Sequence, residues 1–303
     1  MSRVMIFAAL VALTAPLAGC ADDPLAERDP LKPYPPTGVT KTFDLTITED
    51  VPWEVGPGAI YNATTYNGQI PGPTIEVTAG DHVVINLTNS AKAAHSVHTH
   101  ISSFTDANDG AHHSLTMPGE TRTYEWDALF PGTFPYHDHG DEDESVTLGL
   151  FGAVVVHAPG ESPANEHLVV LADFEQGEYE QLPGVANPET GEFPTEGTYH
   201  GGHQYMHTIN GKGYEDAVPP FEGKVGELQR WRIVSIGREF HTWHIHGHRW
   251  LDGSGQLSDN VMLGPGMSTT FEFMEDNPGE WLVHCHVPDH LEGGMVGTYI
   301  VTP

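Results

Sequence analysis

The feature that most restricts the fold of this 303-residue chain is an internal repeat. The motifs YNGQI (66–70), GDHVV (80–84), HSVHTH (95–100), TRTYEW (121–126) and PGTFPYHDH (131–139) follow one another. The same order returns as INGKG (209–213), GELQR (226–230), HTWHIHGH (241–248), TTFEF (269–273) and PGEWLVHCH (278–286). Such self-similarity marks two copies of one structural unit. FDLTITED, TIEVTAG and HVVINLTN alternate apolar and polar residues, the period of half-buried strands. FGAVVVHAP is a continuous apolar run suited to the core of a sandwich, and no long stretch has helical periodicity. The reading is all-β, with two Greek-key β-sandwich domains at 41–160 and 161–303 and a loop over about 176–202.

Ahead of the repeat, Arg3 is followed by an apolar run from Val4 to Leu13 and by Leu17-Ala18-Gly19-Cys20. The run is too short to span a membrane and has the form of an export signal. Its last four residues resemble a lipobox. Residues 1–19 are therefore expected to be a lipoprotein signal peptide and Cys20 the lipid-bearing residue. The proline-rich segment 20–40 would tether the body to the periplasmic or outer cell surface. Lipid on Cys20 leaves Cys285, the other cysteine, without a disulfide partner, a liability in an oxidising compartment unless a metal protects it.

Forty-two acidic residues against 12 basic ones give a formal charge of −30, which opposes binding to nucleic acid or to anionic membrane surfaces. Histidine is the unusual component, with 20 residues. Four His-x-His motifs recur at matching places of the repeat: His98/His100, His137/His139, His244/His246 and His284/His286. In a strand, residues i and i+2 share a face, so each motif sets two imidazoles side by side. Eight imidazoles exceed the needs of one ion and suggest a cluster. Electron-transfer copper sites take two histidines and one cysteine, often with a weak axial methionine. Cys285, His290 and Met295 are spaced so that one loop returns all three to one point, and His241 is the candidate for the second histidine.

This motif set resembles the four copper-binding motifs of the multicopper oxidases. Over about residues 41–303 it is similar to their two-domain, laccase-like members, in which both domains have the cupredoxin fold and the second carries the blue copper. The resemblance implies a type 1 copper on His241, Cys285, His290 and Met295, a type 2 copper on His98 and His244, and a type 3 pair on His100, His137, His139, His246, His284 and His286. Asp138 stands where the second domain has Cys285, so the first domain should hold no blue copper. The implied reaction couples four one-electron oxidations of a phenol, aromatic amine or metal ion to reduction of dioxygen to water. Cys285 would relay the electrons, and Asp109 resembles an acid near the cluster of small laccases. Asp109 also reads as a turn residue in Asn108-Asp109-Gly110. Phe104 sits where some small laccases have an electron-donating tyrosine. The resemblance further implies a homotrimer whose three-copper sites lie between chains.

Other residues read as supporting groups. His112 and His113 are expected in an exposed loop, and His200, His203 and His207 as structural or surface residues. His95 and His248 flank ligand motifs as packing or supporting groups. Met262, Met267 and Met274 are scattered, unlike a methionine-rich cuprous-ion segment. Two rival readings remain: a copper nitrite reductase-like enzyme, which resembles this chain in having two cupredoxin domains, and a copper-binding electron carrier without oxidase activity.

Overall fold

The computed structural model describes residues 29, 31–56, 59–101, 103–140, 146–175 and 205–303. The predicted export signal, Cys20, residues 21–28 and 30 of the tether, the loop from 176, and His200 and His203 lie outside the described residues. Contacts divide the chain into two units, Met1–Lys32 and Pro33–Pro303. In the first, the Asp29 carboxylate accepts the Leu31 N–H at 3.0 Å. The second begins within the predicted tether, where Tyr34 N–H donates to Leu129 O (2.8 Å) and Thr37 Oγ1 to Asp81 Oδ1 (2.6 Å).

Four large sheets build the second unit. Strands β1 (Thr40–Gly56), β2 (Ala59–Tyr66), β4 (His82–Asn89) and β6 (Thr121–Asp127) form one in the order β2-β1-β4-β6. Its companion runs β3-β8-β7-β5, from β3 (Ile75–Thr78), β5 (His98–Thr99), β7 (Gly132–His137) and β8 (Phe151–His157). The second half repeats both orders. Strands β9 (Asn165–Glu175), β10 (Tyr205–Ile209), β12 (Leu228–Ser235) and β17 (Ser268–Met274) run β10-β9-β12-β17. Strands β11 (Phe221–Lys224), β13 (His241–Ile245), β16 (Asn260–Leu263), β18 (Gly279–Cys285) and β19 (Val296–Thr302) run β11-β19-β18-β13-β16, one strand more than in the first half, and β14 (Trp250–Leu251) pairs with β15 (Leu257–Ser258) apart from them. β1 and β4 pair in parallel, as do β9 and β12, and so do β3 with β8 and β11 with β19. The all-β, two-sandwich reading therefore holds, and the repeat in sequence is a repeat in topology.

Local chemistry explains the shared punctuation. The Asn-Gly pairs of the repeat follow β2 and β10. Asn67 and Gly68 have φ of 57° and 72°, and Asn210 and Gly211 have 52° and 73°. Two successive positive φ values make the tight turn that Asn-Gly favours and that a strand excludes. At Gly211 a Cβ would lie 2.6 Å from Ile70 O, so glycine also permits the close approach of the two halves.

Each half buries its own core. The first is built on Trp126, Tyr124, Tyr136 and the β4 residues Val83, Ile85 and Leu87, and the second on Trp231, Trp243, Tyr299 and Ile233. A third cluster joins the halves through Tyr61, Phe151, Phe174, Met206 and Val234. Tyr61 meets Phe174 edge-on with centroids 5.3 Å apart. Full burial of such side chains stabilises by about 1.5–3 kcal/mol each. Within the second half, Arg232 donates to Glu166 (2.5 Å) and Glu161 (3.3 Å), which offsets its burial, and it reaches Thr133 of the first half at 3.4 Å.

Candidate metal centres

The His-x-His motifs sit at strand ends rather than within strands. His98 lies in β5, and His100 follows it; His139 follows β7, His246 follows β13 and His286 follows β18. Leaving the ladder frees the second ring of each pair from the sheet. Pairing brings the motifs together, because His98 faces His137 and His244 faces His284 in identical registers. The first set closes with centroids of His98 and His139 4.7 Å apart and of His100 and His137 5.4 Å apart. In the second, His244 lies 4.9 Å from His246 and 5.2 Å from His286. These close imidazole contacts join members of one set only. His100, His246 and His286 are exposed.

Backbone carbonyls decide which ring nitrogen carries the proton. His98 Nδ1 lies 2.6 Å from Asp109 O, His137 Nδ1 2.9 Å from Asp138 O, His244 Nδ1 2.7 Å from Asp259 O, and His284 Nδ1 2.8 Å from Cys285 O. A carbonyl only accepts, so each Nδ1 donates and each Nε2 presents a lone pair. Those lone pairs converge: His137 Nε2 lies 3.3 Å from His100 Nε2, and His284 Nε2 lies 3.0 Å from His246 Nε2. Burial, then repulsion among neighbouring imidazoles, lowers His137 to about 3 against the hydrogen bond to Asp138 O. The same causes lower His100, His246 and His284. Neutral rings with inward lone pairs are the form that binds a metal.

The third constellation lies behind the second set. Cys285 Sγ is 3.5 Å from His290 Nδ1 and 3.9 Å from His241 Nδ1, and the two Nδ1 atoms are 3.1 Å apart. The short helix α1 (Pro288–Glu292), opened by Pro288, carries His290 back to the thiol. Met295 is fully buried, and its carbonyl accepts the Cys285 N–H at 3.0 Å. Thr242 N–H donates to Sγ at 3.2 Å. The outer nitrogens face carboxylates: His290 Nε2 is 2.6 Å from Glu239, and His241 Nε2 is 3.3 Å from Asp173 Oδ1, out of line for a full hydrogen bond. With Nε2 turned toward the acids, two Nδ1 atoms and a sulfur face one point. A shared proton or a bound metal ion reconciles them, and soft sulfur with imidazole fits copper.

Sequence reasoning missed the groups around this point. Asp173, fully buried, also takes His207 Nδ1 at 2.7 Å and the N–H groups of Arg238 and Glu239 at 3.2 Å each. Burial pushes its carboxyl up, but His241 and His207 hold it well below the usual range. His241 is raised to about 9, because Asp173 outweighs the effect of burial. His207 is a buried neighbour of His290, stacked at 3.9 Å and 15°, which fits the structural rather than the surface half of its expected role. An acid inside the apolar run VVLADFE was the available signal for Asp173; nothing marked His207.

The remaining predicted residues are placed as follows. The Asp109 carboxylate lies 3.3 Å from His98 Nδ1 and is about one-third exposed, at the end of a single 3-10 turn (Asp106–Asn108). Phe104 packs edge-on against His98 at 5.9 Å. His248 donates from Nδ1 to His246 O (2.7 Å) and meets Glu275 (3.0 Å), while His95 meets Asp138 (2.8 Å). His112, His113, Met262, Met267 and Met274 are exposed. A cavity of about 370 Å³, lined by His100, His137, Ile236, Gly237 and Gly266 among others, opens onto the first set.

Two models described as multicopper oxidase match this chain, over residues 49–161 and 188–303. A probable nitrite reductase-hydroxylamine oxidoreductase fusion protein of Kuenenia stuttgartiensis is 31% identical over 271 residues, covering 82% of this chain and 30% of its own length. The human ferroxidase HEPHL1 is 27% identical over 328 residues, covering 88% of this chain and 28% of its own. The chain thus spans under a third of the length of these curated relatives. Among solved structures, the blue copper oxidase from Nitrosomonas europaea superposes with a TM-score of 0.72 at 27% identity, covering 86% of each chain.

Proposed function

Since the chain belongs to the multicopper oxidases, we propose that it acts as a laccase-like oxidase, coupling one-electron oxidations of a small reductant to the four-electron reduction of dioxygen to water. The family is one of copper-dependent oxidoreductases. The observation that carries the finer reading is the pairing of a thiolate centre with two four-imidazole sets whose lone pairs point inward. An electron carrier needs only the first of these. A nitrite reductase reading is supported by the Kuenenia relative, but it leaves the second imidazole set without a task.

His241, Cys285, His290 and Met295 would hold a copper supplying one-electron chemistry, and the imidazole sets would hold copper supplying the reduction of dioxygen. The chain's own residues supply geometry, electrostatics and routes. His241 and His290 present Nδ1, Cys285 the sulfur and Met295 a soft side chain. The donor set fits copper better than zinc, because one thiolate, two imidazoles and a thioether are the soft ligands suited to redox copper. From Sγ, the Cys285 backbone leads directly to His284 and His286. Asp109, beside His98, is positioned to hold a proton near the oxygen-reducing site. Glu239, partly exposed and 2.6 Å from His290 Nε2, would draw a cationic reductant such as a ferrous or cuprous ion to the outer edge of the thiolate centre. The ferroxidase relative supports the same substrate class beside phenols and aromatic amines.

The exposure of His100, His246 and His286 supports assembly. Each set holds half the imidazoles of a three-copper cluster, and a neighbouring chain would bring the complementary half, in a cyclic homotrimer. Cys20 would anchor the exported protein by lipid. Copper counting with absorption and EPR spectra, oxygen uptake against phenols and ferrous and cuprous ions, and a parallel nitrite assay test the function. An intense blue band, a full copper complement and oxygen uptake are expected. Copper only at Cys285, or nitrite reduction without oxygen uptake, would overturn it. A monomeric mass for the active protein would end the trimer proposal, and failure of lipid labelling at Cys20 would end the anchor.

A further inference from the structure

The shared register defines what each half places beside its histidine pairs. His98 faces His137 as His244 faces His284, and the next position along the second strand is Asp138 in the first half and Cys285 in the second. Cys285 N–H donates to Met295 O (3.0 Å), and Asp138 N–H donates likewise to Leu150 O (3.1 Å). His241 precedes His244 by three residues, and His95 precedes His98 by three. His95 and Asp138 therefore occupy the places of His241 and Cys285.

The chemistry at those places differs. Asp138 is fully buried. Its Oδ1 accepts Ser96 N–H (2.6 Å), Ser96 Oγ–H (3.1 Å) and Gly140 N–H (3.1 Å), and its Oδ2 accepts from His95 Nδ1 at 2.8 Å. An ionised carboxylate offers about four lone-pair sites, and four contacts reach this one, three at Oδ1 and one at Oδ2. Ser96 Oγ in turn accepts the His139 N–H at 3.0 Å. His137 Nδ1 is fixed on the Asp138 carbonyl. Both histidines flanking Asp138 are thus tied to one buried hydrogen-bonded network, whereas around Cys285 two Nδ1 atoms and a sulfur converge on one point.

We propose that the buried His95–Asp138 pair replaces a metal centre in the first half, positioning His137 and His139 as ligands before any metal arrives, while the matching geometry around Cys285 is completed only by copper. The inference rests on the copper oxidase reading. His95, Ser96 and Asp138 are positioning residues that touch no reactant.

The test uses the full chain loaded with copper. Asp138→Asn turns one acceptor into a donor facing donors. It is expected to leave the blue band and type 1 EPR signal of Cys285 intact. Affinity for cluster copper should fall about 10-fold or more, the scale of lost outer ligand support, with altered type 2 hyperfine splitting. Ser96→Ala, which cuts only the link to His139, should show the same pattern more weakly and serves if Asp138→Asn does not fold. Hydrogen exchange supplies an independent arm. Amides of residues 96–98 and 137–140 should be equally protected with and without copper, and those of 285–295 should gain protection when copper binds. Unchanged cluster copper and EPR in both variants, or loss of protection in the first half on copper removal, would overturn the inference. A wild-type chain that binds no copper would defeat the oxidase reading instead, and the exchange arm would still judge the pair.

Discussion

Replacing Asp173 by alanine should destabilise the copper-free protein severely. The carboxylate is fully buried on β9 and accepts from His207 Nδ1 and from the backbone N–H groups of Arg238 and Glu239. Alanine strands those three donors in the interior, at about 1–3 kcal/mol each. Relaxation and water in the vacated space bring the sum toward the lower end, about 3–5 kcal/mol, as when one member of a buried ion pair is removed. Asparagine keeps one acceptor oxygen and should cost about half as much. Urea unfolding followed by tryptophan fluorescence reads the difference, because Trp231 and Trp243 lie in the core of the same half. A shift below about 1 kcal/mol for Asp173→Ala would refute the claim that this carboxylate holds the loop 237–239 and His207 in place.

Other outcomes follow from the same geometry. Cys285→Ser should abolish the blue band and donor oxidation while much of the cluster copper stays bound; a retained blue band would contradict the ligand set. Glu239→Gln should lower kcat/KM for ferrous ion by about tenfold, roughly one charge-assisted hydrogen bond, and spare neutral phenols. Equal losses for both donors would count against a cation-guiding role. Asp109→Asn should slow oxygen turnover in steady state while stopped-flow reduction of the blue centre by donor keeps its rate. In the copper-free protein, His241 is raised to about 9 from the ordinary imidazole range. Its protonated form therefore stabilises the fold below about pH 6.5, and that contribution is lost as pH rises through about 9. Thermal unfolding across that window should show the decline, and a flat profile would refute it.

The fold was legible because a repeat leaves two records of each element. Asn67-Gly68 and Asn210-Gly211, the paired His-x-His motifs and the alternating strands each appear twice, and both halves adopt the same sheet orders. The histidine sets were legible because i, i+2 spacing is local. Their placement at strand ends was not, since ladder length depends on which partner strand runs out first. Glu239, Asp173 and His207 escaped notice because they reach Cys285 and its histidines only through pairing of β9 with β10 and β12, contacts distant in sequence. Asp138 was read as a missing cysteine. Its bonds to His95 and Ser96, more than 40 residues away, show it as a group with a structural task of its own.

The four carbonyls that hold His98, His137, His244 and His284 by Nδ1 carry a consequence for how metal is acquired. Peptide oxygens do not titrate, and for His137 and His284 burial and neighbouring imidazoles also disfavour a second proton. These two ligands therefore displace few protons as metal binds. At Cys285 a sulfur must shed its proton as the metal arrives. The two kinds of centre in one chain would thus load along different pH curves, and a slightly acidic medium would fill the clusters before the thiolate centre.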